Sequence, residues 1–309
     1  MTSASLPWLF HARLQLARGD LRGALETLRR ALAEDPEEAH AHALLALVLL
    51  ALKRPHAAAH EAGLALGLAP ELPLAHSTAA SVALAQRRFP DAERHITRLL
   101  ELEPDSADPL LLQARLLGLR GERARRREVL ERAVALAPED PDALVALGED
   151  ALERGDLKEA EARAREVLTL QPESQEALVL MGQVWLRRGR VEEAREHALW
   201  VLRQDATDTG ALRLLASLKA RQNPLLGLWW RYAMFMGELG STRGMVVLLG
   251  AFVAYRFATL AARDLGQPGL ASVIQLVWLA LVVYSWVGPA LFQRMVRQEL
   301  ETVRLDPRF

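Results

Sequence analysis

No cysteine occurs among the 309 residues, so disulfide frameworks, thiolate zinc sites and cysteine nucleophiles are excluded at once. Aromatic residues are scarce, at 6%, and with alanine and leucine abundant the balance favours helices over sheets. Neither sign of charge is in excess. The formal net charge is −1, which argues against a general nucleic-acid binder, because such proteins carry a basic domain or face. Lysine is nearly missing, three residues against 35 arginines, a bias of composition rather than of chemistry. The phosphate-cradling G-x-x-x-x-G-K-[ST], the dinucleotide signature G-x-G-x-x-G and the nucleophile elbow G-x-S-x-G are all absent. What is present, 51% hydrophobic and 25% charged residues, folds rather than stays disordered.

Repetition organises the first two thirds of the chain. Pro36, Pro70, Pro104, Pro138 and Pro172 stand 34 residues apart without a slip. Ala24, Ala58, Ala92, Ala160 and Ala194 form a second ladder of the same period, broken only by Arg126. A third ladder holds Gly19, Gly121, Gly155 and Gly189, with Lys53 and Arg87 in its two gaps. A helix–turn–helix unit explains each position. Glycine ends the first helix because it reaches left-handed geometry cheaply. Alanine lets two helices approach closely, and proline stops the second helix or opens the next.

These positions resemble the tetratricopeptide repeat family, whose pattern runs W-x2-L-G-x2-Y, then A-x3-F, then P. Residues 141–174 match with Leu144, Leu147, Gly148, Ala151, Ala160, Ala164 and Pro172, and residues 175–208 with Leu178, Met181, Gly182, Trp185, Ala194 and Ala198. Trp8 takes the aromatic first position of the first repeat. The resemblance implies an all-α, right-handed superhelical solenoid of six repeats over residues 5–208. A further apolar stretch, 209–223, reads as a helix capping the open end of the stack.

Composition changes after Pro224. All three tyrosines, four of seven tryptophans and five of seven phenylalanines lie beyond it. Gly244 to Ala262 is a run of 19 residues with one charge, Arg256, and Gly269 to Phe292 a run of 24 with none. At 1.5 Å per residue these are helices of roughly 29 and 36 Å, against a hydrocarbon core of about 30 Å. Residues 244–292 are therefore expected to form a two-helix transmembrane hairpin. Residues 224–243, with Trp229, Trp230 and Tyr232, read as an interfacial segment, and 293–309 as a tail. Trp278, Tyr284 and Trp286 on the second run suit the headgroup region, and Arg256 can snorkel toward it. Arginines crowd both flanks of the hairpin while its turn holds only Arg263 beside Asp264, which points both termini and the repeats toward the cytoplasm. The absence of a signal sequence before the first repeat agrees with that expectation.

No catalytic constellation emerges, and no cofactor, metal or small-molecule substrate is implied. His56 and His60 are four residues apart, yet Ala57, Ala58 and Ala59 lie between them where H-E-x-x-H would place a glutamate. With His42 and His76 they read as surface or packing residues. Acid pairs such as Glu37-Glu38, Glu149-Asp150 and Glu192-Glu193 read as solvated. The resemblance implies that first helices line an inner wall holding a protein or peptide. Carried over by repeat position, the candidate contacts are Leu9 and Arg13; Ala43 and Leu47; Ser77 and Ser81; Leu111 and Arg115; Val145 and Glu149; Val179, Gln183 and Arg187. Clamping of a C-terminal carboxylate uses Lys, Arg and Asn here, and only Arg13, Arg115 and Arg187 fit. The expectation is a noncatalytic adaptor at a membrane surface. The alternative makes the hairpin, through Arg256 and Gln275, the active part of a transport or channel assembly.

Overall fold

The computed structural model describes residues 6–206, 208–222, 250–267, 269–270, 272–280 and 282–283. Among the described residues all regular structure is helical. The chain divides into two units, Met1–Pro172 and Glu173–Phe309.

The first unit holds five helical hairpins: α1 (Leu6–Ala17) with α2 (Leu21–Glu34), α3 (Ala39–Ala51) with α4 (Pro55–Leu68), α5 (Pro73–Ala85) with α6 (Phe89–Leu102), α7 (Asp108–Arg120) with α8 (Arg123–Leu136), and α9 (Pro141–Arg154) with α10 (Leu157–Leu170). Each first helix packs on its own partner and on the first helix of the next hairpin. The alanine ladder explains the close approach, since Ala24, Ala58, Ala92 and Ala160 are wholly buried at 0% exposure. Each ladder proline directly follows a helix C-cap, as Pro36 follows Asp35 and Pro70 follows Ala69. There its fixed ring stops the helix without removing a needed hydrogen bond.

Between the two helices of every hairpin the chain enters the left-handed region. Gly19, Gly121 and Gly155 have φ of 74°, 78° and 85°, and the gaps in the glycine ladder keep the same geometry, with φ of 60° at Lys53 and 57° at Arg87. One backbone bond recurs beside these residues: Asp20 N donates to Gln15 O at 2.9 Å, Arg54 N to Leu49 O at 2.9 Å and Arg88 N to Ala83 O at 2.8 Å. The turn is thus set by helix termination, and glycine only lowers its cost.

In the second unit α11 (Gln175–Arg187) pairs with α12 (Val191–Gln204), and α13 (Thr209–Gln222) packs on both. Asp208 Oδ1 accepts from Ala211 N at 2.6 Å and opens α13, whose Leu214, Leu215 and Leu218 are buried. Helical residues 250–264 lead through a turn at Gly266, φ 69°, to helical residues 269–270 and 272–280. The Tyr255 and Trp278 rings stack at 4.8 Å across that turn, and Phe252 lies 6.1 Å from Trp278. Tyr255 and Trp278 are nearly equidistant from Gly266, so the two stretches run back antiparallel. Phe257, Leu265, Val273, Leu276, Val277 and Leu279 are each more than half exposed. Among the described residues no helix is long and apolar enough to cross a membrane. Residues 224–249, with Trp229, Trp230 and Tyr232, and residues 284–309, with Tyr284 and Trp286, lie outside the described residues.

Candidate functional site

A helix turns about 100° per residue, so side chains four apart drift about 40° around its face. That drift separates the residues assigned to the inner wall. Leu9, Ala43 and Val145 are buried between helices of the first unit, and Val179 is buried within the second. Ser81 is buried as well, while Leu47, Ser77, Leu111 and Gln183 are half-buried. Arg13, Arg115, Glu149 and Arg187 are exposed.

A cavity of about 660 Å³ opens on this face between α7, α8 and α9. Leu111, Arg115 and Glu149 all line it, whereas Val145 faces the core and Asp142 and Ala146 take its place on the α9 side. The cavity's apolar wall is Leu111, Leu119 and Leu130. Arg115 and Arg123 stand on the α7–α8 side, and Asp142, Glu149 and Glu153 on the α9 side. Arg125, Arg126 and Arg127 are each held by a carboxylate, Glu122, Glu153 and Glu131 respectively. Among the described residues Arg115 and Arg123 form no ion pair, whereas Asp142 and Glu149 on the facing side each have an interaction partner.

This cavity sits where the fourth repeat departs from the others at two coupled positions. Leucine occupies Leu16, Leu50, Leu84, Leu152 and Leu186, and the equivalent residue here is Gly118. Alanine forms the ladder, and here it is Arg126. The exchange is steric. A Cβ built on Gly118 would meet Arg126 Cδ at 3.4 Å, so the arginine stem fills the volume a leucine would need. A third departure answers the first two. Leu14, Val48, Val82, Leu116 and Val184 share a register with Asp150, which is only 2% exposed. Arg154 Nε donates to Asp150 Oδ2 at 2.9 Å, Arg126 Nε lies 3.7 Å from Oδ1, and Arg126 Nη1 donates to Glu153 at 2.8 Å. Asp150, and then Glu159, hold the Arg154 guanidinium above its ordinary range.

Two expectations about acidic residues are corrected here. Asp150 is buried rather than solvated, because two arginines neutralise it. Glu38 is also buried, and its side chain accepts from His40 N at the start of α3. The first signal was present in the sequence as a charge at a position otherwise apolar in every repeat, beside the gap in the alanine ladder.

The histidines divide in the same way. His56 and His60 are exposed. His42 and His76 are buried at equivalent places, and their Nε2 atoms donate to the Pro36 and Pro70 carbonyls at 2.9 and 2.8 Å. His42 Nδ1 meets Glu61 at 2.7 Å, and His76 Nδ1 meets His95 Nδ1 at 3.2 Å. Burial, then the neighbouring His76 and Arg94, push the His95 imidazole below its ordinary value. Among the described residues no group of three or more His, Asp or Glu is placed to hold a metal ion.

A family model described as Tetratricopeptide repeat matches residues 11–73, 77–141 and 145–209. No curated protein matches the sequence. Among solved structures, a tetratricopeptide repeat protein from Parabacteroides merdae superposes with a TM-score of 0.59 at 19% identity, over 71% of this chain and 84% of that one. A thermophilic repeat protein from Thermus thermophilus gives 0.55 at 23% identity, over 59% of this chain and 99% of that one. PilW, described as a widely conserved type IV pilus biogenesis factor, gives 0.52 at 17% identity, over 70% and 100%. At these identities the likeness is one of fold.

Proposed function

The chain belongs to the tetratricopeptide repeat family, and from that premise we propose that it is a noncatalytic adaptor tied to a lipid bilayer by its C-terminal hairpin. The observation that carries the reading is the open cavity between α7 and α9. A space of that size on the face of the stack, rimmed by the Arg115 and Arg123 guanidinium groups, which form no ion pair among the described residues, suits an incoming segment of another protein.

Membrane attachment is supported by the apolar side chains that residues 250–283 leave exposed on both arms of an aromatic-pinned hairpin. Large apolar side chains left exposed together in one short stretch favour contact with a membrane or a partner. The arginine excess on its flanks favours a cytoplasmic repeat unit and cytoplasmic termini. In the alternative, the hairpin is the working part of a transport or channel assembly. Arg256 is exposed and Gln275 half-buried.

The deciding experiment is affinity capture from detergent-solubilised native membranes with the full chain and with a form lacking residues 1–222. The adaptor reading expects a reproducible partner that is lost with the repeats while the shortened form still sediments with membranes. Retention of the same partner by the shortened form overturns it in favour of the hairpin-centred alternative. In that case Arg256→Leu should abolish function with the partner still bound.

A further inference from the structure

The two kinds of turn in the first unit differ in charge. Because the helices of a hairpin run antiparallel, turns within a repeat and turns between repeats lie at opposite ends of the helices. The turns between repeats, residues 35–38, 69–72, 103–107 and 137–140, hold acidic residues and no lysine or arginine. Within the second and third repeats the turns 52–54 and 86–88 read Leu-Lys-Arg and Gln-Arg-Arg, with no acid, whereas those at 18–20, 121–122 and 155–156 each hold one acid. The two basic turns adjoin. Gln86 Nε2 donates to the Pro55 carbonyl at 3.0 Å, and α3 packs on α5. Lys53, Arg54, Arg87 and Arg88 are exposed. Arg88, together with Arg94, holds Asp91, while Lys53, Arg54 and Arg87 form no ion pair among the described residues.

This arrangement costs the free chain twice. Packed helices stand about 8–10 Å apart, close to the Debye length of about 8 Å at 0.15 M salt, so the cations of the two turns repel one another. Lys53 and Arg87 also sit in left-handed backbone, at φ of 60° and 57°, where glycine would be unstrained. Strain of this kind clusters at functional sites, and an anionic surface relieves the repulsion.

We infer that the turns carrying Lys53, Arg54 and Arg87 are a contact surface for the anionic lipid headgroups of the bilayer that the chain is tied to. The inference rests on the membrane part of the proposed function and adds which end of the repeats meets the surface, and by what chemistry. Ammonium and guanidinium groups donate to phosphate oxygens in charge-assisted hydrogen bonds. A charged plane acts on the whole unit, drawing in the basic end and repelling Asp105 and Glu139 at the other, whereas an acidic peptide would sense only the patch it touches. The second unit carries a related arrangement of its own. Its turn reads Arg188-Gly189-Arg190, and Arg221 Nη1 donates to the Leu186 carbonyl at 2.6 Å. The end of α13 thus lies beside a basic turn, and the exposed apolar side chains of residues 250–283 follow it in sequence.

The chain has no cysteine, so a single dye can be placed at His56→Cys, beside the patch, or at Asp105→Cys, at the acidic end. The labelled full chain is reconstituted in vesicles of phosphatidylcholine, or of phosphatidylcholine with about a quarter phosphatidylglycerol, each containing a trace of acceptor-labelled headgroups. Energy transfer from His56→Cys should rise with phosphatidylglycerol and fall back at about 1 M salt, where the Debye length is about 3 Å. Transfer from Asp105→Cys should not rise. Each cation at such a surface contributes about 1 kcal/mol, so removing one should lower the ratio of docked to undocked chain about fivefold. Arg54→Gln tests this at a side chain that makes no capping bond. Lys53→Gly with Arg87→Gly removes two cations and both strained turns, so the ratio should fall about 25-fold while the melting midpoint holds or rises. Unchanged responses in both variants, an equal rise at the two label positions, or no rise at all overturns the inference. Reversal of the rise by a micromolar blocked hexaglutamate peptide would assign the patch to an acidic protein segment and also overturns it. Release of the chain from pure phosphatidylcholine vesicles at alkaline pH would remove the membrane reading and this inference with it. A failed phosphatidylglycerol response with attachment intact overturns this inference alone.

Discussion

Asp150 occupies a place where the other repeats hold leucine or valine, and its burial is tolerated because Arg154 and Arg126 reach it from two sides. Removing one member of such a pair leaves a buried charge unmatched, whereas removing both sides together costs much less. Asp150→Ala should therefore destabilise the first unit by about 1–3 kcal/mol. Added to Arg126→Ala it should cost less than the two singles summed, as read by denaturant unfolding in a double-mutant cycle. Strict additivity would show that the contact is incidental. His95 makes a prediction of a different kind. Its folded-state affinity for protons is lowered, chiefly by burial and then by His76 and Arg94, with Asp91 opposing. The unfolded chain takes up a proton near pH 6.5 and the folded chain only at lower pH, so folding excludes a proton in between. The contribution is therefore complete above about pH 6.5 and is lost as pH falls from there toward the folded value. His95→Gln should flatten the dependence of melting temperature on pH over that window. An unchanged slope would place the titration on another histidine.

At the scale of the element, each hairpin turn in the first unit passes through left-handed backbone whether or not glycine is there to take it. Lys53 and Arg87 sit at φ of 60° and 57°, a conformation that costs an L-residue about 1–2 kcal/mol. Lys53→Gly and Arg87→Gly should each stabilise the stack by roughly 0.5–1 kcal/mol, less than the full penalty because glycine also loosens the unfolded chain. Thermal melts of the two variants decide the point, and a lowered midpoint would mean that the side chains contribute more than the turn costs. These two residues also show how legible the fold was. A 34-residue period fixed every helix of the first unit even where its marker residue was missing, because the proline and alanine registers carried the same information. The wall was less legible. Position numbers alone could not separate Val145, turned into the core, from Ala146, turned into the cavity, since one residue of rotation decides it. Nor could they give the Gly118–Arg126 exchange, which is a statement about volume between two helices rather than about either residue. The Asp150 misreading has the same origin: a carboxylate beside a glutamate looks solvated until the arginines that reach it from two directions are known.

For the molecule as a whole, the question is what a hairpin with exposed leucine, valine and phenylalanine adds to a stack for which binding through the cavity between α7 and α9 is proposed. Apolar area left in water costs about 25 cal/mol per Å² relative to burial, so the surface of residues 250–283 calls for a covering, and a bilayer is the covering proposed here. Confinement to a surface also alters the binding arithmetic. A contact confined to one cavity is weak by itself, but tethering adaptor and partner to one membrane would raise their effective concentration toward the millimolar range, and avidity can then rise by about 10²–10⁴ without a new contact. The full chain should accordingly stay with the membrane pellet after alkaline extraction, while residues 1–222 alone should remain in the supernatant and capture the partner at least about tenfold less efficiently. Recovery of the intact full chain in the alkaline supernatant would remove the membrane from the proposal. Equal capture by the tethered and untethered forms would leave membrane attachment in place but take away its contribution to binding, and the repeats would then have to supply the whole affinity.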